Sequence, residues 1–378
     1  MNVLVVIQYG GHFSNFSSHL PGYLNGTGGK KKVTVTTVMP PYYSCYSKTG
    51  KMLNKKQLVV VMFFNFFYFL YAFVLKEREK YNVIILDSHV VAVPFLFLVK
   101  IFPFVNAEKN IIVMSFFLHT LSEKKIIQKI LRFVLKGKKV LMSAQSEHEV
   151  EYYSQLMGKT KVVHFPFCQH EVSISEACGR GEEYIFAGGY TNRDYECLFE
   201  AARKINHNFI IISSKLNQTH LAQKPDNVKI LSDRSHADFH GYLKNSKIVV
   251  IPLKEKTGSS GQKVALAAML FKKPIIYTDI DSISQYFEPG LSGIRYQINN
   301  AEELADKIHY LLSEPQLREK LGANAYETYC KKYHISKYCE FLADLITDSL
   351  PARDGKVAAA QFTEIPGGDV QREPGGNK

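Results

Sequence analysis

The apolar positions of this chain fall into short blocks. Runs such as VLVVI (3–7), NVIIL (82–86) and NIIVM (110–114) are continuous rather than alternating, and stretches with apolar residues at helical spacing separate them. Continuous β-branched runs divided by helices are the pattern of a parallel sheet covered on both faces. The clearest unit spans residues 251–279. An apolar run ends in Pro252, a small-residue loop follows (Thr257, Gly258, Ser259, Ser260, Gly261), then a predicted helix over 262–271 and a second apolar run over 274–277. Residues 183–214 repeat the plan, with Gly188 and Gly189 turning the chain between strand and helix.

A loop of small residues opening a helix presents free backbone N–H groups to an anion. Ordinary turns and caps use the same residues, so one such loop is a weak signal. Two of them, each at the carboxyl edge of a strand in one half of the chain, point to a crevice that fits a nucleotide diphosphate.

The pair FAGGYTNRDYECLFEAA and SSGQKVALAAMLFKKPIIYTD, followed by YFEPGLSG and the helical NNAEELADKIHYLLSEPQLREKLGANAYE, resembles the C-terminal half of GT-B glycosyltransferases, the retaining family 4 type in particular. The resemblance covers about residues 183–340 well and the first half in outline. It implies an α/β chain of two Rossmann-like domains facing a cleft. The donor, a nucleotide sugar acting as co-substrate, is then held by the second domain and the acceptor by the first. It implies no further cofactor and no metal. By the same resemblance Gly188, Gly189, Ser259, Ser260, Gly261 and Gln262 border the donor. Arg193 and Lys215 are the cations placed to meet its diphosphate, and His119 lies against donor sugar or acceptor. Solvated surface cations and a structural histidine are the alternatives for those last three. The family's paired Glu, eight residues apart, are here Ser259 and Ala267. A Ser can still bond a sugar hydroxyl; an Ala offers nothing to a ribose diol. The resemblance passes part of that role to Gln262 and the backbone.

The N-terminal run 3–7 reads as the first strand, because a secretory leader needs a basic start and a small-residue cleavage site that the sequence lacks. Gly10, Gly11 and His12 follow it. They are either an acceptor-facing loop, as the resemblance implies, or a tight turn with a solvated His. Further strands are predicted over 30–39 and after residue 160, and a polar stretch over 168–181 reads as a linker. The domains are therefore expected at 1–168 and 183–350, with a linker at 169–182 and a disordered tail at 351–378, where Pro, Gly and charge replace large apolar residues. Asn299 and Asn300 are expected to cap a helix over 301–312 and Ser313 a second over 314–333; a last amphipathic helix follows, and the resemblance to GT-B folds implies that it crosses back to the first lobe.

Two segments of the first half bear on partners. Residues 57–75 (QLVVVMFFNFFYFLYAFVL) are almost wholly apolar, and Lys flanks them on both sides. A membrane span would place its neighbouring strands on opposite sides of a bilayer. The preferred reading is a helix packed on the sheet with one face offered to lipid. Residues 124–139 form a basic amphipathic pattern, suited to an anionic membrane or to the core with a solvated Lys face. With a net charge of +12 the chain favours an anionic partner, and it carries none of the aromatic or zinc-finger signatures of nucleic-acid binders. Six scattered Cys without metal spacing indicate reduced thiols and a cytoplasmic protein. The expectation is a sugar transfer onto a lipid-linked or membrane-proximal glycan at the inner face of the membrane, in polysaccharide or glycolipid assembly. A non-catalytic carbohydrate- or membrane-binding relative and a nucleotide-sugar 2-epimerase are the alternatives.

Overall fold

The computed structural model describes residues 2–6, 22, 34–38, 55–76, 81–87, 89–103, 110–114, 125–136, 139–157, 160–168, 172, 174–189, 192–213, 224–232, 234–254 and 260–348. The first half alternates strand and helix: β1 (Asn2–Val6), β2 (Thr34–Val38), α1 (Lys55–Phe69), β3 (Val83–Asp87), α2 (His89–Ile101), β4 (Asn110–Met114), α3 (Lys125–Leu135), β5 (Val140–Ala144), α4 (Glu147–Met157) and β6 (Lys161–His164). The second half follows the same rule: β7 (Tyr184–Gly188), α5 (Tyr195–Ala202), β8 (Asn208–Ser213), β9 (Val228–Ser232), α6 (His236–Asn245), β10 (Ile248–Ile251), α7 (Gln262–Leu270), β11 (Ile275–Thr278), α8 (Asp281–Ser284) and β12 (Ile294–Tyr296). It ends in α9 (Ala301–Ser313), α10 (Pro315–Thr328) and α11 (Ile335–Asp348).

The strands form two six-stranded sheets, ordered β2-β1-β3-β4-β5-β6 and β12-β11-β10-β7-β8-β9. All the pairings are parallel, with Val3 beside Val83 in the first sheet and Ile248 beside Ile185 in the second. Central strands are apolar on both faces because helices cover both. On the first sheet Leu4 and Val6 join a core with Phe95, Leu131 and Tyr153, while Val3 and Val5 face a separate core with Leu342 and Ile346 of α11. The last helix thus packs on the sheet of the other half, across from α1, α2 and α3. The rings of Phe165 and Tyr338 meet edge-on there, 4.5 Å apart.

The apolar segment at 57–75 is helical, and it continues past α1 as a wider turn over Leu70–Lys76. It lies along α2 and reaches the core through Phe69 and Phe73, whose rings sit 5.4 and 5.2 Å from Phe95. Among the described residues no helix is long and apolar enough to cross a membrane. One expected cap is corrected. Ser313 is the last residue of α9 and its hydroxyl donates to the Tyr310 carbonyl; Glu314 precedes α10 instead, with Pro315 in the first turn. The guanidinium of Arg318 donates to the Leu311 and Leu312 carbonyls, so α10 itself closes the end of α9. Asn300 does cap α9, accepting from the Glu303 amide at 3.0 Å.

Candidate functional site: the switch point of the second sheet

In the second sheet the chain runs outward in one direction from β7 and returns to start again at β10. The crevice at the carboxyl ends of β7 and β10 is therefore the topological switch point, where open α/β sheets bind ligands. Gly188 ends β7, and a side chain there would run into the Phe239 ring of α6, its Cβ lying 2.5 Å from Cε2. Gly189 has φ of 134°, a value open to glycine and strained for other residues. Its amide donates to the Ile212 carbonyl and its carbonyl accepts from the hydroxyl of buried Tyr195.

Arg193 folds back beneath this turn. Its Nε donates to the Gly188 carbonyl at 2.9 Å, and a Cβ on Gly189 would come within 2.2 Å of its Nη2. Burial lowers its pKa, but a guanidinium stays charged in proteins. The backbone of Arg193 bridges to Leu253, and the Asp194 amide donates to the Pro252 carbonyl at 3.1 Å. Asp194 then caps α5 by accepting from the Cys197 amide. The glycine turn is in this way tied to the end of β10.

The second loop meets the same strand end. Gly261, with φ of 90°, precedes α7 as its N-cap and supplies no side-chain bond to the helix amides. It packs on Ile251, Leu253 and Ile283, each within 3.5 Å of the position a Cβ would take. A helix N-terminus, carrying the positive end of the helix dipole, is an anion acceptor. Gln262, buried, turns its amide toward the Ser282 carbonyl at 3.4 Å. Ala267 is completely buried, and its methyl group offers no hydrogen-bond acceptor to a ligand. Ser260 is half-buried at the mouth of the loop.

The structure thus brings Gly188, Gly189 and Arg193 together with Ser260, Gly261 and Gln262 around the Ile251–Leu253 segment. Gly10, Gly11, His12, His119, Lys215 and Ser259 lie outside the described residues, as does the tail at 351–378. Sequence patterns give no sign of several residues that build the crevice. Thr278 accepts from the Leu253 amide at 2.8 Å and donates to the Ile251 carbonyl, which fixes the end of β10. Gln285 reaches across to the first half, donating to the Gln145 carbonyl at 3.5 Å. Its Oε1 and the Ser282 hydroxyl are buried with no hydrogen-bond partner among the described residues. These groups meet only through tertiary contact, so no spacing rule could have found them. Among the described residues no cluster of His, Cys, Asp or Glu is suited to a metal ion.

Residues 190–328, which begin directly after this glycine turn, match the family of glycosyl transferases group 1. That stretch is similar to a glycosyl transferases group 1 domain. The whole chain is 29% identical over 121 residues to the alpha-D-kanosaminyltransferase of Streptomyces kanamyceticus, an alignment covering 32% of this chain and 30% of that protein. It is 24% identical over 159 residues to an uncharacterized glycosyltransferase of Methanocaldococcus jannaschii, covering 40% of this chain and 44% of the relative. The chain therefore spans less than half the length of these two relatives. The fold extends further than the family match. Sucrose-phosphate synthase from Thermosynechococcus elongatus superposes with a TM-score of 0.68 at 13% identity, over 92% of this chain and 98% of that one. Anabaena HepE, crystallised with UDP and glucose, gives 0.59 at 13% identity over 92% of this chain and 99% of its own. The stretch that matches the group 1 family thus lies in the second half of a GT-B fold and starts at the edge of the switch point.

Proposed function

We propose that the protein moves a sugar from a nucleotide-sugar donor to an acceptor hydroxyl, with retention at the anomeric carbon and without a metal. The acceptor in this reading is a lipid-linked or membrane-proximal glycan, met at the cytoplasmic face of a membrane. The bond from the anomeric carbon to the diphosphate oxygen breaks with its electron pair going to that oxygen, the bond to the acceptor oxygen forms, and the acceptor hydroxyl's proton passes to the departing diphosphate, on which negative charge builds as it leaves. The observation that carries the reading is the convergence of the Gly188–Gly189 turn, Arg193 and the uncapped start of α7 on one strand end. Fixed amide dipoles and a guanidinium aimed at a departing diphosphate supply the charge stabilisation that a metal otherwise gives. The group 1 match and a neighbour holding UDP and glucose support a nucleotide donor. Retention rests on the resemblance to family 4.

Isothermal titration with UDP, GDP and ADP, followed by an assay for nucleoside diphosphate released from the matching sugar nucleotide, tests this. One nucleotide is expected to bind. Gly189→Ala, which forces Arg193 out of its place, is expected to weaken that nucleotide by about tenfold or more. If no nucleotide binds, the proposal is wrong. Ala267 favours a second reading, because a buried methyl group stands where the family keeps a carboxylate. Under that reading the donor binds and no acceptor elicits release of the diphosphate.

A further inference from the structure

The outer helices of the first half form a face that water does not suit. Along α1 the residues Val60, Phe63, Phe64 and Phe67, with Tyr71 just beyond, recur at helical spacing and are 44–58% exposed. The opposite side of the same helix, through Asn65 and Phe69, is buried. Among the described residues the middle of the helix is thus packed on one side and presents apolar side chains on the other. Its exposed side continues onto α2, where Phe66 meets the exposed Phe97 with ring centroids 5.9 Å apart. It runs on to α3, where Lys100 of α2 lies over the exposed Phe133 ring, 5.8 Å from its centroid, and donates to the Lys136 carbonyl. Apolar patches of this extent on a folded surface mark an interaction site.

Charge decides the occupant. The sequences of α1, α2 and α3 contain no Asp or Glu, while Lys100 lies in α2 and Lys125, Lys129 and Arg132 lie exposed on α3. A second copy of this chain would set these cations against one another. An anionic lipid surface satisfies both halves of the pattern, since headgroups take the cations and the acyl boundary takes the aromatic rings.

We infer that the face built by α1, α2 and α3 docks on a bilayer containing anionic lipid, with α1 lying in the interface rather than crossing it. In a parallel sheet the helix after β2 starts at the carboxyl edge, so Lys55 and Lys56 lie on the cleft side of the first domain. Docking by this face sets the membrane alongside the cleft. The inference rests on the transferase reading for its purpose, namely delivery of a lipid-linked acceptor, and not for its physics.

Co-flotation of the full chain with vesicles of phosphatidylcholine, alone and mixed with phosphatidylglycerol, tests it. Binding to the mixed vesicles is expected to exceed binding to the neutral ones by about tenfold or more and to weaken with added salt. The triple change Phe63→Ser, Phe64→Ser and Phe67→Ser is expected to cut binding by about tenfold or more. Lys125→Glu with Lys129→Glu is expected to remove the preference for the anionic vesicles. Both variants keep the nucleotide affinity of the unaltered protein, because none of these residues lies near the switch point. Failure of the unaltered protein to float with phosphatidylglycerol overturns the inference, and so does a concentration-dependent dimer that the triple change abolishes. Nucleotide titration on the same preparation separates this failure from that of the transferase reading.

Discussion

The two halves of the molecule share one architecture and differ in their outer helices. In α9 the apolar residues Leu304, Ala305, Ile308 and Leu311 are buried in one stripe, and the opposite side carries charge: Glu302 pairs with Lys204, and Glu303 with Lys307. That is the ordinary amphipathic compromise with water. In α1 the stripe that packs and the stripe that does not are both apolar, so pattern alone cannot say which side faces in. The contrast teaches that a helix without amphipathic bias inside an otherwise regular α/β fold leaves apolar surface facing outward, which the inferred membrane docking would cover. The second half carries its candidate site at loop ends. The first half carries an unusual outer wall.

The largest expected effect divides the aromatic residues of α1 by side. Phe69→Ala, which empties a fully buried site against Phe95, is expected to cost about 3–5 kcal/mol in urea unfolding. Phe63→Ala on the exposed side is expected to change stability by no more than about 0.5 kcal/mol. Equal costs at the two positions would mean that both sides are packed and would end the contrast. Next comes the second half, where Asn300→Ala removes the α9 cap and should cost about 1 kcal/mol by the same measurement.

The smallest effect is a pH dependence. His164 ends β6, and burial holds its pKa below the ordinary 6.5, against Glu147 and Glu149, which push it up. Its folded value lies below its unfolded one, so the unfolded chain binds the extra proton first. Stability is then complete above about pH 6.5 and falls as the pH drops toward the folded value. His164→Asn should flatten the slope of the urea midpoint between about pH 6.5 and 5; an unchanged slope would assign it to His207 or His236, which burial also pulls down.

Much of this was legible in the residues. Continuous β-branched runs between helical stretches specify parallel strands, because a strand covered on both faces has no polar side to display. The Gly188–Gly189 pair and Gly261 stood out for a related reason: left-handed turns and close approaches admit almost nothing else. Ser313 was misjudged as a cap since its spacing suits either the end of one helix or the start of the next, and the Arg318 guanidinium decides between them.

By itself, then, the sequence determined the alternation of elements, the two glycine turns and the excess of positive charge, all of which are set by local sterics and composition. The tertiary structure alone decided the rest. It chose the strand order that makes a switch point between β7 and β10, and which residues of α11, Leu342 and Ile346 among them, meet the first sheet. It brought Gln285 to Gln145, and it selected which side of α1 is left bare. Those outcomes depend on which distant surfaces bury one another, and no periodicity along a single segment records its partner.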